Sequence, residues 1–189
     1  MPHPFCSPCC SSTGCQFCQG GTAPETLEVT LSGVADKVPT PYTPCDNCDT
    51  TNDTYLLTFG SAGETYCEWL YTVDPFSDPL PCFTDLSLRL AQGDVFSFSG
   101  DPTHYYLGLQ ITIGFDLATI LFVADLGTDT PDCGVFDAET LDYDSQDSYS
   151  GIGEWYCDYT GASAAVSTPT VDPDADSGFD TGFDIGFGV

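Results

Sequence analysis

The stretch His104-Tyr-Tyr-Leu-Gly-Leu-Gln-Ile-Thr-Ile-Gly-Phe115 decides the fold class. Tyr105, Leu107, Leu109, Ile111, Ile113 and Phe115 alternate with His104, Tyr106, Gly108, Gln110, Thr112 and Gly114. Neighbouring side chains of an extended chain point to opposite faces, so a period of two marks a strand with one buried face. The same period recurs on both sides of this stretch. Upstream it runs through Leu27, Val29 and Leu31, through Tyr55, Leu57 and Phe59, through Cys67, Trp69, Tyr71 and Val73, and through Leu86, Leu88 and Leu90. Phe96 and Phe98 follow a short Gln-Gly-Asp turn. Downstream, Leu117–Ala124 reads as a strand buried on both faces, Trp155, Cys157 and Tyr159 give another, and residues 162–167 a last short one.

No window carries apolar residues at i, i+3, i+4 and i+7 among good helix formers, while Thr, Ser, Gly and Pro occur throughout. Roughly nine short strands separated by turn residues predict an all-β chain, an antiparallel β-sandwich or jelly roll. The sequence places this domain at residues 24–167. A Cys-rich segment, residues 1–23, precedes it. An acidic, Pro-containing linker at 168–177 and a Gly-Phe tail at 178–189 follow.

The chain has 189 residues, 41% of them apolar, enough for a real core. Its charge balance is extreme: 29 acidic residues against Lys37 and Arg89, a formal net charge of −27. Such a surface repels nucleic acid and anionic lipid and attracts cations. The acids are mostly Asp, which suits turns and Ca²⁺ ligation better than helices. The longest apolar run, Leu117–Ala124, is too short to cross a bilayer, so no membrane insertion is expected. The first residues have neither a basic start nor an apolar run. Either a leader has been removed or the standard export route is not used, and in the second case release by lysis within a virion is expected, with non-classical export as the competing explanation.

Eleven cysteines are present. Cys45, Cys48, Cys67, Cys82, Cys133 and Cys157 are disulfide candidates in a protein that works outside a reducing cytosol. Cys6-x-x-Cys9 and Cys15-x-x-Cys18 have the spacing of zinc knuckles, with disulfides as the other reading. Asp172, Asp174, Asp176 and Asp180 occupy positions 1, 3, 5 and 9 of a loop resembling a calcium-binding EF-hand. Ser177 stands where such a loop needs Gly, and Phe183 where it needs Glu. A second acidic region comprises Asp142, Asp144 and Asp147 with Asp125, Asp129 and Asp132. Calcium is the favoured cofactor and zinc the lesser one.

As a strand, the tail carries Phe179, Phe183, Ile185, Phe187 and Val189 on one face, while Gly and Asp fill the other. As a helix it would contain glycines costing about 1 kcal/mol each relative to Ala. A ribbon with one apolar face needs a host surface, either the last strand position of its own domain or a neighbouring subunit. These five residues are the candidate assembly residues.

No nucleophile elbow and no phosphate loop are present, and His104 reads as an exposed strand residue, so no catalytic residue is assigned. Asn52-Asp-Thr54 is a formal glycosylation sequon. Trp69, Trp155 and exposed Tyr side chains are the candidates for contact with a cell-surface glycan.

Pro24–Val34, Cys45-x-x-Cys48, Asn52–Leu57, Cys67-x-Trp69 and Cys157–Val166 together resemble small Cys-rich proteins of unknown function encoded by planctomycetes, related bacteria and phages. The resemblance covers roughly residues 15–167 and implies an extracellular or virion β domain. It supplies no activity and no catalytic residues. Together these features predict a non-enzymatic structural subunit of a phage virion (a head decoration, fibre or tail accessory protein). It would lie outside the cell and assemble through its terminal arms with copies of itself or other structural subunits. The alternatives are a secreted, calcium-stabilised filament or adhesin subunit joined by donor-strand exchange, and a carbohydrate-binding module.

Overall fold

A computed structural model describes residues 23–36, 52–63, 66–71, 83–113, 118–131, 139–145 and 157–169. Twelve strands occur there. They are β1 (Thr26–Ser32), β2 (Ala35–Asp36), β3 (Thr54–Ala62), β4 (Tyr66–Tyr71), β5 (Phe83–Gln92), β6 (Asp94–Val95), β7 (Phe98–Ser99), β8 (Tyr105–Ile113), β9 (Ala118–Gly127), β10 (Glu139–Tyr143), β11 (Cys157–Asp158) and β12 (Ser163–Ser167). Eight of them close into one barrel in the order β1-β12-β10-β9-β8-β5-β4-β3. Every ladder in the barrel is antiparallel, and each barrel strand pairs with the barrel strands before and after it in the chain. This is an up-and-down barrel.

The all-β expectation therefore holds, but the sheet does not divide into the two layers of a sandwich or jelly roll. The difference lies in one seam. β1 pairs with β3 on one side and with β12 on the other, so the first and last strands of the sheet meet. Alternation dictates which side chains face inward in either architecture. Whether the ends meet depends on strand tilt and stagger, which are collective properties.

The registers set the core in rings. Phe59 faces Trp69, Trp69 faces Leu88, Leu88 faces Leu109, Leu109 faces Phe122, and Phe122 faces Tyr143. Leu27, Val29, Leu31, Leu57, Leu86, Leu90, Leu107, Ile111, Ile120, Leu141, Ala164 and Val166 fill the remaining inward positions of the same cluster. Trp69 and Phe122 are the two largest fully buried side chains, and β12 contributes the small Ala164 and Val166 to the same cluster. These side chains form one buried cluster inside the barrel, at about 1.5–3 kcal/mol of burial for each large aliphatic. Trp69, expected among exposed glycan contacts, is 0% exposed, and its indole N–H donates to the Pro24 carbonyl at 2.9 Å. Its parity with the buried Cys67 puts it inside.

Two sequence-derived strands leave the barrel. Phe96 and Phe98 belong to the β6–β7 hairpin, which lies outside the wall. Of the expected Trp155–Tyr159 strand, the described residues include β11, which pairs with β2 outside the barrel. Conversely, β10 is a barrel strand that the acidic sequence around it concealed. Asn52, the residue of the sequon, is used as a clasp. The Val34 N–H donates to Asn52 Oδ1 at 2.9 Å and Asn52 Nδ2 donates to the Val34 carbonyl at 2.8 Å. Attachment of a sugar to Nδ2 would break this two-way pair.

Candidate functional site: a groove on the outer wall

The outer wall carries an exposed Leu56 on β3 among polar side chains such as Thr54 and Thr58, and a second apolar cluster forms where the β5–β8 connection folds back over it. Gly93, at φ 80°, turns the chain out of β5, and the Gly93 N–H donates to the His104 carbonyl at 2.9 Å. The loop between them carries the β6–β7 hairpin. Val95 is fully buried against the wall, and Phe96 and Phe98 are half-buried with it. Their partners are outward-facing residues of the barrel: Tyr66 on β4, Ala91 on β5, Tyr106 on β8 and Val123 on β9. This is a second, smaller core on the outside of the first.

Arg89 anchors one side of the hairpin. Its guanidinium carbon lies 4.2 Å from the Tyr66 ring centroid and 4.5 Å from that of Phe96, and its Nη2 donates to Glu68 Oε1 at 2.9 Å. A planar cation held between two ring faces suits Arg and not Lys. Phe96 takes φ 53°, a left-handed conformation that is uncommon for a bulky residue. Packing of its ring on the Arg89 guanidinium accompanies that strain.

The other side of the hairpin is held by polar contacts around His104. The Asp101 N–H donates to the Tyr106 hydroxyl at 3.0 Å, and the His104 N–H donates to the Asp101 carbonyl at 3.0 Å. Asp101 Oδ1 accepts from both the N–H and the hydroxyl of Thr103. These bonds, the hydroxyl contact most of all, hold the Asp101 carboxyl below its ordinary value. His104 Nδ1 lies 2.9 Å from both carboxylate oxygens of Asp125 on β9, so Nδ1 carries the proton in this pair. The Asp125 carboxyl is also held below its ordinary value, first by the Gly127 N–H at 2.8 Å and then by His104. The His104 ring stacks on Tyr106 at 6.2 Å between centroids. His104 is therefore not a bare strand residue. It stands in the turn before β8, with one third of its side chain exposed and its imidazole committed to Asp125. Among the described residues no hydroxyl or thiol hydrogen-bonds to its Nε2.

Beside this anchor lies a groove of about 410 Å³, lined by Phe98, Tyr106, Val123, Asp125, Asp142, Tyr143, Asp144 and Ser145. Phe98 and Tyr106 form one wall, with ring centroids 5.1 Å apart. The other wall comes from the β9–β10 seam, where Asp142 faces Val123, Tyr143 faces Phe122, and the Asp144 N–H donates to the Leu121 carbonyl. Tyr143 is itself braced by Phe122 and Tyr159, at 5.9 and 6.0 Å. The arrangement offers aromatic and aliphatic surface bordered by carboxylates. Such a surface can hold a cation on an apolar stem, or a sugar ring.

Three members of the second acidic region, Asp125, Asp142 and Asp144, thus come together on this groove. Asp129 is exposed just beyond β9 and does not line it, while Asp132 and Asp147 lie outside the described residues. The three groove acids do not amount to a metal centre. No group of three His, Cys, Asp or Glu side chains suited to a metal ion occurs among the described residues. The EF-hand-like Asp172, Asp174, Asp176 and Asp180, the thiols Cys6, Cys9, Cys15 and Cys18, and the tail residues Phe179, Phe183, Ile185, Phe187 and Val189 all fall outside the described residues, as do Cys45, Cys48, Cys82, Cys133 and Trp155. Cys67 and Cys157 are buried in the barrel core, and each is disulfide-bonded.

The aromatic half of this site is what sequence reasoning missed. Phe98 and Tyr106 sit close to Gly100 and Gly108, two positions where an added Cβ would collide with Tyr106 and Val95 respectively. Glycine in an otherwise regular strand such as β8 is the signal that another segment lies close above it. No protein-family model, no curated protein and no solved structure matches the chain.

Proposed function

We propose that the protein is a non-enzymatic structural subunit of an extracellular assembly, in the first place a phage particle. It would serve as a decoration, fibre or tail accessory component joined to copies of itself or to other structural subunits through its terminal arms. The observation that carries this reading is the apolar interior of the barrel, where Trp69, Phe122 and a sleeve of Leu and Ile are all buried in one cluster. Function then belongs to the outer surface and to the segments at either end of the barrel.

Two further observations support it. The wall is apolar inside and, beside an exposed Leu56, bears Glu28, Thr30, Ser32, Thr58, Gln110, Asp125 and Asp142 outside, whereas a transmembrane barrel turns an apolar band outward. Closure also bears on how subunits would join. Strand donation into a sheet needs an open edge, and β1 is paired on both of its sides. The closed barrel therefore weighs against the reading of a filament built by donor-strand exchange into this domain. A tail that docks its apolar face on a different host surface fits closure better. The outer groove gives a second reading, a ligand-binding module, its own specific support.

The test is the native mass of the full chain, with and without EDTA, compared with a chain lacking residues 178–189. The expected result is an oligomer or particle-bound form that reverts to a folded monomer on deletion. An unchanged monomer in both cases overturns the assembly reading. Loss of mass with EDTA alone would assign assembly to calcium instead of the tail.

A further inference from the structure

We infer that the outer groove is a docking site for a basic side chain, arginine or lysine, presented by a partner protein. The inference rests on the groove and not on the assembly proposed above. Its apolar lining is the half-buried Phe98 and the buried Tyr106 on one side and the half-buried Val123 on the other, while Tyr143 borders it with its ring turned to Phe122 and Tyr159. Its border is anionic, with Asp125, Asp142 and Asp144 contributed by β9 and the end of β10. An aliphatic stem against aromatic faces with a cationic head among carboxylates satisfies both halves of this surface. Its volume is in the range of small-ligand pockets, large enough for one long side chain.

Charge complementarity points to a partner richer in basic residues than this chain, whose Lys37 lies outside the described residues. Lys37 and Arg89 are its only Lys and Arg residues. Arg89 is committed to Glu68, Tyr66 and Phe96. The apolar tail of the same chain brings Asp180 and Asp184 with it, and a second copy brings another 29 acids. Either would face repulsion at a carboxylate-bordered groove. A basic side chain meets the opposite field, which also raises its rate of encounter at low salt.

The probe is acetyl-arginine N-methylamide, titrated into the full-length protein at low salt and followed through backbone amide NMR shifts. Acetyl-citrulline N-methylamide, which keeps the shape and loses the charge, is the control. The expected result is saturable shifts confined to Phe98, Tyr106, Val123 and Ser145, absent with citrulline. Asp142→Lys places a cation on the groove and is expected to weaken binding about tenfold or more. Asp53→Lys makes the same charge change away from the groove and is expected to alter it less than about twofold. Both variants are checked for an unchanged melt, and the citrulline comparison needs no variant. Shifts spread evenly over the acidic surface, equal weakening by Asp53→Lys, or no saturable response would overturn the inference. So would a response of the same residues to a neutral saccharide with none to arginine, which would make the groove a glycan site.

Discussion

Gly108 lies directly beneath Val95: a Cβ placed on Gly108 would stand 2.7 Å from Val95 Cγ2 and 3.2 Å from the Phe96 ring. The β6–β7 hairpin can rest on the barrel only because β8 is bare at that point. Val95 is fully buried and stiff about χ1, so it has little room to turn aside. Gly108→Ala is expected to destabilise the protein by about 1–3 kcal/mol through overpacking. The hairpin should lift, and the Phe98 wall of the groove should move with it. Urea denaturation measures the first effect, and loss of contacts between Phe98 and Tyr106 in NMR spectra reports the second.

Trp69 joins the core to the entrance of β1 through its bond to the Pro24 carbonyl. Trp69→Phe keeps an aromatic in the ring with Phe59 and Leu88 but leaves that bond unmade and a gap where the indole was. A cost of about 2 kcal/mol is expected, roughly half from the lost hydrogen bond and half from the cavity. Trp69→Ala should cost about 3–5 kcal/mol. Equilibrium denaturation separates the two variants. A Trp69→Ala chain as stable as the parent would show that the indole does not occupy the barrel interior.

Acid should act locally at Asp125. Its carboxyl is held below the ordinary value by the Gly127 N–H and by His104. A group whose pKa is depressed in the folded state stabilises that state above the unfolded pKa, and the stabilisation is lost as pH falls through the folded value. Acidification also relieves the self-repulsion of a chain with net charge −27, which works in the opposite direction. The informative quantity is therefore the difference between the parent and Asp125→Asn. The stability advantage of the parent should be present near pH 5 and shrink steadily as pH falls below about 4. Melts of both proteins across that range give the sign directly.

The path from sequence to structure can be followed residue by residue. The alternation over Tyr105–Ile113 located β8 and its inward face, because a single buried face imposes period two on one strand alone. Closure could not be read the same way, since it depends on β1 meeting β12, 131 positions apart at the Ser32–Ser163 pair. β10 escaped notice because Leu141 and Tyr143 are its only inward anchors within an acidic run, too few to stand out as a period. In the candidate site, acidity alone groups Asp125, Asp142 and Asp144. Alternation puts Phe98 in a strand and Tyr106 on a strand's outer face, and only a hairpin folded back over Gly108 brings both to those carboxylates.

Closure of the barrel leaves no open edge along this sheet for the Phe-rich sequence at residues 178–189, and so sets the most direct test. Hydrogen exchange across those residues should be measured in the isolated monomer and in the native assembly. Fast exchange in the monomer with strong protection in the assembly is the result expected if the arm finds its host in another subunit. Fast exchange in both, or strong protection already in the monomer, would contradict it.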